Sequence, residues 1–181
     1  MTEHSADPED LAREATRAYR AGDYKHAIEV FSEARQLFHT SGLPLRAAEM
    51  DNNLCVCLLQ LDHAQEALAA VKETPNIFHN EGNLLLKAQA LGNRAMAKAA
   101  LSQLSEAEAD YRAAAQIFRE IDHQEDLQYT MQALSKIQLQ QGRPMEALDA
   151  MQSVLNTKTR PSLRDRFLSW LFKLPLRFFN R

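Results

Sequence analysis

Turn-forming and cross-linking residues are scarce in this chain. Five glycines and six prolines in 181 residues leave little room for flexible linkers. Two cysteines are too few for a disulfide framework, and the polar, acidic opening MTEHSADPED contains no apolar leader. The expected setting is therefore a reducing compartment, the cytoplasm. No run approaches the ~18 uncharged apolar residues that a membrane-spanning helix requires. A glycine-rich loop that would cradle phosphate is missing as well. What remains, 45% hydrophobic and 25% charged, is the balance of a soluble globular chain of one or two domains.

Net charge is small, at −3, but it is unevenly placed. Residues from Lys158 onward hold seven of the 21 basic groups and one of the 24 acidic ones, so this tail is +6 and the remainder, 14 basic against 23 acidic, is −9. An acidic body argues against nucleic acid, which calls for a basic stripe along the surface.

The chain repeats itself every forty residues. Ala27, Ala67, Ala107 and Ala147 fall in phase, as do Ala15, Cys55, Ala95 and Ser135, and all eight are small. Phe38, Phe78 and Phe118 also coincide, and so do the breaks at Gly22, Asp62, Ser102 and Gly142. A fixed period of this length signals a stacked array of helical hairpins, in which alanine-sized residues at the crossings let helix axes approach to roughly 8–10 Å. The fold class expected is all-α.

Order is expected to begin at Asp7, after a frayed terminus over 1–7. Asp7 suits a cap, Pro8 the first helical position, and Glu9 with Asp10 the positive end of the helix dipole. Gly22 ends this helix, and Asp23 caps a second whose Ala27, Val30, Phe31, Ala34 and Phe38 form one apolar stripe. In the second unit, Pro75 predicts a kink or a restart with Thr74 as a new cap. The boundaries read from the period are 8–42, 43–82, 83–122 and 123–156, followed by a basic segment over 157–181.

Ala27, Phe31 and Ala34, repeated as Ala107, Tyr111 and Ala114, form the alanine–aromatic–alanine pattern of a second helix, which resembles the tetratricopeptide repeat (TPR) family. The resemblance covers about 8–155. Two departures stand out: Lys98 and Gln138 occupy positions where the family has tyrosine, and His39, His79, Arg119 and Thr159 replace its closing proline. The spacing resembles the longer, forty-residue variety found in adaptors that hold peptide segments, and the ALGN of Ala90–Asn93 is typical of it. The resemblance implies an α-solenoid, a right-handed superhelix of antiparallel hairpins whose first helices line a concave groove. Carried over residue by residue, the groove positions are Thr16, Tyr19 and Arg20; Asn52, Asn53, Val56 and Gln60; Gln89, Asn93 and Met96; and Tyr129, Gln132 and Lys136. Asparagine and glutamine there suit a protein or peptide partner held through its backbone amides. The plainer alternative is that Asn52, Asn53 and Asn93 satisfy neighbouring helix ends.

Catalytic patterns are not found, and neither enzyme activity, a cofactor nor a metal is expected. Cys55 and Cys57 are two apart on a helix and diverge, which suits core packing. His39 and His79 read as exposed helix ends, and Glu106 with Glu108 as a solvated surface pair.

In the tail, a helix of about Leu163 to Phe179 is expected, with Arg166, Ser169, Lys173 and Arg177 on one stripe and Phe167, Trp170, Leu171, Leu174 and Phe178 opposite. Two uses compete: covering the last apolar face of the array, or lying in the headgroup region of an anionic membrane as a peripheral contact. The chain reads as a non-enzymatic scaffold or adaptor, tethered through its tail. The alternative is a soluble assembly or homo-oligomerisation module whose C-terminal helix only caps the solenoid.

Overall fold

A computed structural model describes residues 7–157, with side chains to residue 152. The N-terminal residues 1–6 and the tail with its expected amphipathic helix lie outside the described residues. The described residues form nine helices and no strand: α1 (Pro8–Arg20), α2 (Tyr24–Thr40), α3 (Pro44–Gln60), α4 (Ala64–Val71), α5 (Thr74–Asn80), α6 (Leu84–Ala100), α7 (Leu104–Glu120), α8 (Gln124–Gln140) and α9 (Pro144–Thr157). The helices stack as a solenoid, each packing chiefly on its neighbours in sequence.

The local signals act as their chemistry dictates. Asp7 caps α1 by accepting a bond from Glu9 N–H at 3.0 Å. Asp23 caps α2 by accepting one from His26 N–H at 3.2 Å. Seven turns then recur at twenty-residue intervals, each with a residue in the left-handed region. Glycine takes that place at 22, 42, 82 and 142, while Asp62, Ser102 and Asp122 adopt φ of 55–61° without its freedom. The hydrogen bonds explain why. Beyond α6, Ser102 N–H donates to Ala99 O at 3.0 Å and Gln103 N–H to Lys98 O at 2.9 Å, and this crossed pair satisfies carbonyls that the helix end would leave bare.

All eight small phase positions are interior. Ala15, Ala27, Cys55, Ala67, Ala95 and Ala107 are fully buried, and Ser135 and Ala147 nearly so. Ser135 also uses its hydroxyl, donating to Ala147 O at 2.9 Å and tying α8 to α9 where the two phases meet. The apolar core falls into two clusters that share α6. Ala90 and Ala97 pack with the α1–α5 side, while Ala88, Leu91 and Ala95 pack with α7–α9.

Pro75 does restart the chain, but Thr74 is not the cap. Glu73 stands at the cap position without a side-chain bond, and Thr74 is the first residue of α5. The missing N–H of Pro75 would have bonded Val71 O in a continuous helix. Thr74 Oγ1 supplies that bond instead, at 3.0 Å, and Arg94 Nη1 donates to the next carbonyl, Lys72 O, at 3.2 Å. With Thr74 and Pro75 buried, the break is a pinned bend.

Glu108 also departs from expectation. It is buried rather than solvated, accepting from Arg112 Nε at 3.0 Å and pairing with Arg143 in the turn before α9. Burial alone would raise the Glu108 carboxyl pKa, but the bonds from Arg112 and Arg143 outweigh it and hold the pKa low. Glu106 is exposed.

A left-handed residue with a side chain is strained relative to glycine by roughly 1 kcal/mol. Ser102 is exposed and its side chain makes no hydrogen bond among the described residues. Ser102→Gly is therefore expected to raise unfolding stability by about 0.5–1 kcal/mol in urea titration, and a loss of stability would contradict the turn geometry.

Candidate functional site

The first helix of each pair contributes to one face; a cavity of about 470 Å³ opens there between α1 and α3 among the charged Glu9, Arg17, Arg46 and Glu49, and two others take in most of the groove positions inferred from sequence. The larger of these two, about 370 Å³, lies between α3, α6 and α8 and is walled by Asn52, Asn53, Gln89, Asn93, Met96 and Tyr129, with Ala88, Gly92, Tyr111, Phe118, Asp126, Thr130 and Ala133 completing it. The smaller, about 320 Å³, lies between α1 and α3 and is walled by Thr16, Tyr19, Arg20, Asn53 and Val56, with Phe31 behind them. Asn53 belongs to both. Ten of the thirteen groove positions inferred from sequence therefore border one continuous face, while Gln60, Gln132 and Lys136 are exposed and line neither cavity.

Within the larger cavity the amides are not idle. Asn93 Nδ2 donates to Asn52 Oδ1 at 2.8 Å, joining α6 to α3, and Gln89 Nε2 donates to Asp126 Oδ2 at 3.0 Å, joining α6 to α8. These are side-chain pairs across the groove floor, so the helix-end alternative does not describe Asn52 or Asn93. The remaining amide groups, Asn52 Nδ2 and Asn93 Oδ1, have no protein partner among the described residues. One donor and one acceptor thus stay available, the complement of a peptide unit. Thr16 is different: its hydroxyl donates to Ala12 O at 2.8 Å and is spent on its own helix. Tyr19 stands with its ring 5.8 Å from that of Tyr24.

Behind the floor sit groups that do not titrate near neutrality. Burial pushes the Tyr111 hydroxyl pKa up to about 12. Burial likewise raises Cys55 to about 12 and Cys57 to about 11, and both cysteines are free and packed in the core. Cys55 Sγ donates weakly to Asn93 O at 3.7 Å. Such thiols are inert rather than nucleophilic. Among the described residues no group of three or more His, Cys, Asp or Glu side chains is placed to hold a metal ion. The chemistry on offer is hydrogen bonding over an apolar base.

Sequence reasoning missed the base itself. Tyr111 and Phe118 are second-helix residues whose periodicity marks them as core, and they are core, yet each also shows an edge to the cavity. Asp126, in the first turn of α8 where a carboxylate suits the helix dipole, was not singled out either; its Oδ2 lies 3.5 Å from His123 Nδ1 and accepts from Gln89. The residues proposed for the tail helix lie outside the described residues.

If the Asn52–Asn93 bond is structural, removing its donor leaves an acceptor nearly buried and unpaired. Asn93→Ala is expected to cost about 1–3 kcal/mol in urea unfolding, whereas Asn53→Ala, at a half-buried side chain without a partner among the described residues, stays within about 0.5 kcal/mol. Equal losses would show that the pair contributes nothing.

Comparison with solved structures supports the architecture. A Rap protein complexed with Competence and Sporulation Factor superposes with a TM-score of 0.75 at 20% identity over 86% of this chain. This chain spans only 44% of that protein. A Podosopora anserina putative kinesin light chain with nearly identical TPR-like repeats gives 0.75 at 16% identity, covering 91% of this chain and 83% of that one. The Rap conjugation regulator of plasmid pLS20 in complex with the Phr* peptide gives 0.65 at 16% identity, covering 99% and 59%. No curated protein matches the chain. The family model described as soluble NSF attachment protein, SNAP, matches residues 2–141, more than three quarters of the length. This TPR-like solenoid therefore belongs to the soluble NSF attachment protein family.

Proposed function

We propose that the chain is a non-enzymatic scaffold that holds an extended or helical segment of a protein partner along the face formed by α1, α3, α6 and α8. The observation that carries this is the unspent amide pair: Asn52 and Asn93 bond each other through one donor and one acceptor and keep the complementary two free. A peptide backbone supplies the partners those groups lack, with little demand on sequence. The family is named for attachment, and two of the structural relatives were solved with a signalling factor or peptide bound, which supports a polypeptide as ligand. We also propose the forty-residue TPR variety, which the helix starts at residues 24, 64, 104 and 144 support.

The groove reading is tested with a phage-displayed library of linear peptides panned against the full chain. Asn53→Arg and Met96→Glu, at partly exposed groove positions, are expected to abolish binding of the enriched peptides. Glu33→Arg, exposed and bordering neither cavity, leaves it unchanged. Peptides insensitive to both groove changes, or no enrichment at all, would overturn the reading.

For the tail we propose contact with an anionic membrane surface. The support is in the sequence: residues 158–181 carry +6, with Phe167, Trp170, Leu171, Leu174 and Phe178 on the stripe opposite Arg166, Lys173 and Arg177. Among the described residues no helix is long and apolar enough to cross a membrane. At about 1 kcal/mol per basic residue near an anionic surface, the full chain should float with phosphatidylserine vesicles at low salt and detach at high salt. Charge reversal of Arg166, Lys173 and Arg177 together should abolish flotation. Unchanged flotation would leave the capping or self-assembly role for this segment.

A further inference from the structure

Tyr111 forms part of the wall of the larger cavity, is only 5% exposed, and its hydroxyl has no hydrogen-bond partner among the described residues. The ring is sealed in the core, while the hydroxyl, unpaired in the protein yet not sealed from solvent, is a donor open to a ligand in the cavity. Packing does not require it. Phe31 occupies the same position two periods earlier, is 2% exposed, and lines the neighbouring cavity without any hydroxyl. The ring at this position fills the core; the oxygen at 111 is additional.

A second feature of the same wall is Gly92. It lies inside α6, where glycine is the least favourable residue after proline, and no left-handed conformation accounts for it. A Cβ placed there would meet nothing within 4 Å. The space over Gly92 is therefore open, bordered by the apolar surfaces of Met96 and Phe118. Its volume, about 370 Å³, is at the small end of ligand sites and suits one side chain with its adjoining backbone. The rim adds charge: Asp126 is partly exposed, it accepts from Gln89, and the chain before the tail is −9 overall.

We propose that this cavity is the specificity subsite of the groove: it takes one bulky apolar side chain of a linear peptide over Gly92, binds a neighbouring backbone carbonyl through Tyr111 Oη, and favours a basic residue against Asp126. The inference rests on the groove reading and adds its selectivity. Amides alone accept almost any backbone, whereas an apolar space beside a carboxylate chooses among side chains. Tyr111 stays protonated through neutral pH because burial holds its hydroxyl pKa up at about 12, so it acts as a donor to a carbonyl.

The experiment uses the full chain and the same displayed library, with affinities measured by fluorescence anisotropy on labelled synthetic copies of the enriched peptides. Enriched sequences should share a bulky apolar residue next to lysine or arginine. Tyr111→Phe should weaken binding about threefold to tenfold, the worth of one neutral hydrogen bond, while leaving the melting temperature unchanged or higher. Gly92→Leu should fold, since its Cβ would meet no atom within 4 Å and leucine suits a helix interior better than glycine, and abolish binding by filling the space. Asp126→Asn should remove the preference for the basic neighbour.

Peptides that depend on Asn53 and Met96 but ignore Tyr111→Phe and Gly92→Leu would overturn the subsite and leave the groove intact. No peptide binding at all would overturn the groove reading first. Binding that appears only in the full chain carrying Trp170→Ala would assign the cavity to the chain's own tail and overturn a partner in trans.

Discussion

Helix pairs in this chain lie close because the residues at their crossings have almost no side chain. Ala15, Cys55, Ala95 and Ser135 on the first helices, and Ala27, Ala67, Ala107 and Ala147 on the second, are all essentially sealed from solvent. Enlarging any of them in a close-packed interior forces neighbours off their rotamers. The spacing then propagates. With the helices seated mainly on their neighbours in the chain, and α3 and α4 reaching past the short α5 to α6, the first helices are brought side by side into a face made of α1, α3, α6 and α8. α6 is central because it is small on two sides, with Ala90 and Ala97 toward one core cluster and Ala88 and Ala95 toward the other.

Where the array departs from alanine and aromatic packing, it uses charge, and the charges are fully engaged. Lys98 stands where the TPR pattern has tyrosine, and it donates to Asp110 Oδ2 at 2.8 Å, while Arg94 approaches the same carboxylate at 2.6 and 2.8 Å. Burial pushes the Asp110 pKa up, but the combined bonds from Arg94 and Lys98 outweigh it and leave the pKa low. A carboxyl depressed in the folded state contributes stability above its unfolded pKa that is lost as pH falls through the folded one. The same Arg94 reaches Lys72 O at the Pro75 break, so one side chain both neutralises Asp110 and closes the gap between α4 and α5. Gln138, the other tyrosine replacement, is 2% exposed and keeps Oε1 without a partner among the described residues.

The helices, the turns and the small interior positions were legible because each follows from chemistry within a few residues or from the repeat itself. Asp7 and Asp23 reveal caps, and the phase of Gly22 with Asp62, Ser102 and Gly142 reveals where the chain must turn left-handed. The groove was legible only as a face. Helical periodicity says which side of α3 and α6 carries Asn52 and Asn93, but their bond spans 41 residues and depends on the tilt between helices, which no local pattern encodes. Tyr111 was hidden for a related reason: its period marks it as core, and periodicity does not register an edge left open to a cavity. Thr74 was misread because a threonine before proline suits a cap, while the vacancy at Val71 O offered its hydroxyl a better use.

These constraints also bear on how such a face recognises a flexible segment. A long polar side chain ordinarily loses rotamer freedom when it grips a ligand, at about 0.5–1.5 kcal/mol each. Here that loss has already occurred in the free protein. Asn93 is held by Asn52 and Gln89 by Asp126, each pair joining two neighbouring helices of the face. The amides are therefore presented by a rigid wall, and an incoming backbone meets groups already in place. Rigidity of this kind requires that the side chains hold one another before the ligand arrives, so the pairing within the groove, as much as the groups left over, is what makes the surface suited to binding.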